Sequence, residues 1–172
     1  MGFSMEVFRA TGGFSDMRFG EDIDLSIRIQ KEGFRTGLLK EAYVYHKRRT
    51  TLRQFFKQVF NSGIARINLS RRHPGSLKAV HALPALFIVA LLLLVLLSVF
   101  ISVWFLLPLL VHLMLLYSGA LIRTGDRGVA FLSLVTSYIQ LTGYGTGFLY
   151  AWWRRMVLGR EEFTAFHRNF YK

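Results

Sequence analysis

Residues 79–122 contain no Asp, Glu, Lys or Arg, and that run restricts the folds open to the chain more than any other feature. A hydrocarbon layer about 30 Å thick is crossed by roughly 20 helical residues, so residues 82–122 suffice for two crossings while one continuous helix would overshoot. Two helices joined by a tight turn near residues 98–104 are expected. Pro84 falls in the first turn of the first helix, where its missing N–H costs little. Pro108 is expected inside the second, bending it, with neighbouring helices compensating. A third apolar segment, 129–153, is interrupted by Gly143, Gly145 and Gly147. The stretch 129–142 alone gives only roughly 21 Å of helix, which reads as a re-entrant or interfacial segment.

Composition agrees with a lipid-facing second half. Mean hydropathy is +0.34 and 52% of residues are hydrophobic, more than an average soluble fold carries. Up to His81 there are 15 Lys and Arg against 7 Asp and Glu, so the water-facing part is strongly basic. Those cations cluster beside the apolar spans, which favours anionic membrane lipids as partners and argues against nucleic acid. Cysteine is absent, which excludes disulfides and thiolate metal sites. The first 20 residues lack a continuous apolar stretch, so no cleavable signal peptide is expected.

Along the water-facing part, residues 1–20 are Gly-rich and irregular, with a turn at Thr11-Gly12-Gly13-Phe14. In the next segment Ile23, Leu25, Ile27 and Ile29 alternate as in a strand. Three acids at its start, Arg28 and Lys31 near its end and Gly33 beyond form the opposing signature of a helix, and a helix is predicted. Residues 34–39 and 42–46 have strand character. From Thr50, Leu52, Phe55, Phe56, Val59, Phe60, Ile64 and Ile67 recur at helical spacing opposite Arg53, Lys57, Arg66, Arg71, Arg72 and Lys78. Such a basic amphipathic helix before a span fits the headgroup layer, although a helix packed on its own domain shows the same pattern.

Chemistry concentrates at Glu21-Asp22-x-Asp24. Transfer to a hydroxyl needs a general base in hydrogen-bond reach of the attacking oxygen, and a carboxylate at a helix start is held in place there. Asp22 is the natural candidate. The same three acids also suit a helix N-terminus with no catalytic role, and a lone His46 lacks the neighbouring ligands of a metal site.

The run FRATGGFSDMRFGEDIDLSIRI beginning at Phe8, then Gly33-Phe34, Val44-Tyr45-His46 and Phe55-Phe56-Lys57-Gln58, closely resembles the C-terminal half of glycosyltransferase family 2 catalytic domains. The resemblance covers residues 1–75 in motif detail and the remainder in architecture only. It implies an α/β fold, part of a GT-A nucleotide-diphospho-sugar transferase domain, followed by an α-helical transmembrane region. It also implies that Asp22 is the base deprotonating the acceptor hydroxyl, that Glu21 and Asp24 support it, and that Gly12 and Gly13 form the glycine loop near donor and acceptor. His46 matches the histidine that helps bind a divalent metal, Mg or Mn, on the donor diphosphate. Arg48, Arg49 and Arg66 lie where basic residues meet that diphosphate.

Two departures accompany the resemblance. The Gln-x-x-Arg-Trp motif of processive members is missing, which disfavours polymer synthesis. The family's nucleotide-binding half, with its upstream Asp-x-Asp, has no counterpart ahead of Glu21-Asp22, so a fragment or a subunit completed by another polypeptide is expected. The resulting organisation is 1–50 catalytic, 51–81 interfacial helix, 82–122 two spans, 129–153 third apolar segment and 154–172 basic tail. A nucleotide-sugar donor and a lipid or glycan acceptor are the implied partners. Residues 1–81 are expected on the cytoplasmic side of a plasma or inner membrane, as their basic surplus suggests. The competing reading is a non-enzymatic basic membrane anchor or scaffold.

Overall fold

The computed structural model describes residues 2–45 and 51–161. Helices α1 (Met5–Thr11), α2 (Glu21–Lys31) and α3 (Leu52–Arg72) come first, then α4 (Leu83–Phe100), α5 (Leu107–Thr124) and α6 (Arg127–Trp152). Helices α3 and α6 each start at a side-chain cap. The Thr51 hydroxyl accepts from the Gln54 N–H at 3.2 Å to begin α3, and Asp126 accepts from the Val129 N–H at 3.0 Å to begin α6. The α2 helix closes with Gly33 at φ +81°. Its N–H bonds the Gln30 carbonyl and the Phe34 N–H bonds the Ile29 carbonyl, both at 3.1 Å, the paired arrangement of a Schellman stop.

The expected α/β domain is not found. No strand or sheet occurs among the described residues, and 34–39 and 42–45 run without regular structure. A strand forms only beside a partner that takes up its backbone groups, and Leu38, Val44 and Tyr45 are almost fully exposed. The alternating isoleucines of 23–29 fall on a helix instead, with Leu25 and Ile29 buried four residues apart.

The spans begin and end close to the expected places. The α4 helix stops at Phe100, Ser102 opens a 3₁₀ turn over Val103–Leu106, and α5 follows. Pro108 therefore lies in the first turn of α5 and not inside a bent span. Residues Ala79–Phe100 and Val103–Thr124 form two helices long and apolar enough to cross a membrane. Only 11% and 0% of their most apolar windows are buried within the protein, whereas the core helix of a soluble fold would be mostly buried.

The break expected at the α6 glycines is absent. The helix is continuous over 26 residues, about 39 Å at the usual rise. Its glycines serve packing instead: a Cβ on Gly147 would collide with the Phe60 carbonyl, one on Gly145 with the Pro84 carbonyl, and one on Gly143 with Val59. From the other side, a Cβ on Gly63 would strike the Tyr144 carbonyl. Small residues thus bring α3 and the start of α4 onto α6 backbone to backbone.

Helix α6 is the central element, packing on α3, α4 and α5. Its first half meets the apolar helices, where His112 Nδ1 and the Tyr138 hydroxyl lie 2.9 Å apart beside Phe87. The short Gly125-Asp126 link makes α5 and α6 antiparallel. Its second half meets α3, and Arg71 donates to the Arg155 carbonyl at 2.8 Å. The link at Gly125 and the seam with α3 therefore lie at opposite ends of α6.

Candidate functional site

Helix α2 starts at Gly20, whose φ of +83° turns the chain. A Cβ there would approach Ala65 and Leu69 of α3 at 3.3 Å, so the loop before α2 lies on α3. This places Glu21 and Asp22 over one face of that helix. They line a cavity of about 760 Å³ with Phe14, Arg18, Arg66 and Tyr144 among its walls. Both acids are exposed, and the Asp22 carboxylate has no hydrogen-bond partner among the described residues, leaving its oxygens open to the cavity. Arg66 and Tyr144 share one part of its wall, brought there by α3 and α6.

Asp24 has the opposite surroundings, because residues two apart on a helix do not share a face. It is 2% exposed. The Arg28 guanidinium donates to Asp24 Oδ2 at 2.9 Å, and His73 Nε2 lies 2.7 Å from Oδ1. Lys31 Nζ sits 3.1 Å from His73 Nδ1. An ammonium only donates, so Nδ1 accepts, and Nε2 carries the ring proton toward Asp24. Burial alone would raise the Asp24 pKa; the hydrogen bonds from His73 and Arg28 and the Arg28 charge overcome it and hold the carboxyl below its usual range. Arg28 also donates to the carbonyls of Thr11 and Gly13, the latter at 2.7 Å. One buried carboxylate thus ties α2 to the end of α3 and, through Arg28, to the glycine loop.

Gly12 and Gly13 are not among the residues lining the cavity. Gly12 caps α1 at φ +73°, and a Cβ on Gly13 would run into the Phe8 ring. Of the basic residues expected near a diphosphate, Arg66 joins the two acids. Arg48, Arg49 and His46 lie outside the described residues. Among the described residues no group of three or more His, Asp or Glu side chains comes together, so these residues alone do not make a site for the expected divalent ion. Arg18, Phe19 and Tyr144 were not singled out from the sequence. Arg18 and Phe19 stand just before the acids, separated from them by Gly20, whereas Tyr144 arrives from a helix more than a hundred residues on.

The chain belongs to glycosyl transferase family group 2, whose family model matches residues 1–122. The match takes in the loop, both cavity acids, all of α3 and α4, and nearly all of α5. No curated protein and no solved structure matches the chain. Family membership carries glycosyl transfer from a nucleotide-sugar donor to an acceptor in general terms.

Proposed function

We propose that this protein is a membrane-bound glycosyltransferase in which Asp22 activates an acceptor hydroxyl, on a lipid or a glycan, for attack on a nucleotide-sugar. The observation that carries this reading is the cavity uniting Glu21 and Asp22 with Arg66 and with Tyr144 of α6, the helix that packs on both membrane-type helices. Asp22 takes the hydroxyl proton as the acceptor oxygen bonds to the anomeric carbon. The bond from that carbon to the nucleoside diphosphate breaks, and the leaving group takes its electron pair. Arg18 and Arg66 offer cationic charge to the departing diphosphate. Glu21 keeps the cavity mouth acidic, and Asp24 acts from beneath by fixing α2.

In membranes containing the full-length protein, Asp22→Asn is expected to lower transfer from a panel of radiolabelled UDP-glucose, UDP-N-acetylglucosamine and GDP-mannose by about 10²- to 10⁴-fold. Donor binding should persist, because the amide keeps the shape and loses only the basicity. Wild-type turnover in that variant would remove Asp22 from the mechanism.

A further inference from the structure

A second cavity, of about 330 Å³, lies on the other side of Arg18 and Phe19, walled by Lys57, Phe60, Asn61, Ile64, Asn68 and Tyr150. Its chemistry is divided. Arg18 and Lys57 supply two cations, no acid lines it, and neither cation is ion-paired among the described residues. Phe60, Ile64 and the Tyr150 ring supply an apolar wall, with Phe60 and Tyr150 centroids 6.0 Å apart. Two asparagines add amide groups suited to phosphate oxygens.

Its depth follows from α6. Pro84, in the first turn of apolar α4, meets Gly145, and Phe87, one turn deeper into the span, meets Tyr138. Moving up α6 in number therefore leads out of the apolar layer. Tyr150 is five residues beyond Gly145, about 7.5 Å along the helix, which is the thickness of a headgroup layer.

We infer that this cavity binds the phosphate headgroup of an anionic membrane lipid, the phosphate against Arg18 and Lys57 and the adjoining hydrocarbon against Phe60, Ile64 and Tyr150. A free phosphate would leave the apolar wall unused, and a zwitterionic lipid would bring its own cation toward Lys57. The inference does not depend on Asp22 or on sugar transfer, and its test reads binding alone.

The purified full-length protein in neutral detergent, titrated with dioleoyl phosphatidylglycerol and followed by native mass spectrometry, is expected to take up one lipid more tightly than the rest. Lys57→Gln and Arg18→Gln should each weaken that first event about tenfold or more, as loss of a charged hydrogen-bond donor does, and Lys57→Arg should restore it. Dioleoyl phosphatidylcholine should show no tight first event, and equimolar inorganic phosphate should not displace the bound lipid. Equal weakening by Arg123→Gln and Arg127→Gln, at the far end of α6, would reduce the effect to diffuse attraction and overturn the site. Displacement by inorganic phosphate would overturn the lipid assignment, and equal binding of phosphatidylcholine would overturn the anionic one.

Discussion

Replacing Asp24 with Ala removes the group on which three segments converge. The carboxylate is buried and holds Arg28 and His73. Breaking a buried charge pair from one side costs about 3–5 kcal/mol, because the other partner is left unpaired. Arg28 is 25% exposed and keeps its bonds to the Thr11 and Gly13 carbonyls, so water and carbonyls recover part of that loss. An expected destabilisation of about 2–4 kcal/mol remains, which for a chain of this size lowers Tm by roughly 5–15 °C. Circular dichroism at 222 nm in detergent measures the shift, and amide hydrogen exchange localises it to residues 11–31 and 69–76. Asp22→Asn is the matched control: its exposed carboxylate holds nothing, so stability should stay within about 0.5 kcal/mol while transfer is lost. An unchanged Tm together with unchanged exchange in Asp24→Ala would refute the network. A drop of equal size in Asp22→Asn would refute the division of roles between the two acids.

The Asp24 carboxyl sits below its ordinary value when folded, so its stabilisation is fully present above about pH 4, the unfolded value, and is lost as pH falls through the folded value. Acid titration should therefore show a shallower loss of stability below about pH 4 in Asp24→Asn than in wild type, and parallel curves would contradict it. Gly147→Ala, which drives a Cβ into the Phe60 carbonyl, should cost about 1–3 kcal/mol or more by overpacking. Gly119→Ala, where nothing lies within 4 Å, should be neutral in the same thermal assay, and equal effects at the two sites would remove the packing role. Single cysteines at Gly125 and Arg160 of this cysteine-free chain should label from opposite sides of the membrane with an impermeant thiol reagent. Labelling of both from one side would mean that α6 does not cross.

Local signals in the sequence marked α2, α3 and the turn between the spans, whereas α1, bounded by Ser4 and Gly12, lies in a stretch expected to be irregular. Three acids, two late cations and Gly33 bracket α2, and the Phe and Ile spacing marks α3. The long uncharged run breaks near Ser102 as its length requires. The larger failures arose where a partner distant in sequence decides the outcome. Residues 34–45 have strand composition, but a strand is a pairwise structure and the described residues offer it no neighbour. Gly143, Gly145 and Gly147 weaken a helix considered alone. Beside Phe60 and Pro84 they become the residues that allow backbones to touch. The spacing of Asp22 and Asp24 likewise does not reveal which carboxylate stays open, because that depends on His73, 49 residues along the chain.

Helix α6 explains why a cavity built by water-facing residues belongs with the apolar helices. Residues 1–81 supply Asp22, Glu21, Arg18 and Arg66, but α3 is held against the spans by the glycine seam of α6, and Tyr144 enters the cavity from that seam. Tyr144 adjoins Gly145, the residue that meets the start of α4, so the cavity wall stands at the depth where the apolar layer begins. In the proposed reaction an acceptor hydroxyl that meets Asp22 at that depth could stay attached to a lipid without leaving the bilayer. Displacing α3 from α6 would move Arg66 away from Tyr144 while leaving the loop and α2 attached to α3 through Asp24 and His73. Gly147→Ala is therefore expected to impair acceptor use more than donor binding, a separation that a purely local folding defect at residue 147 would not produce.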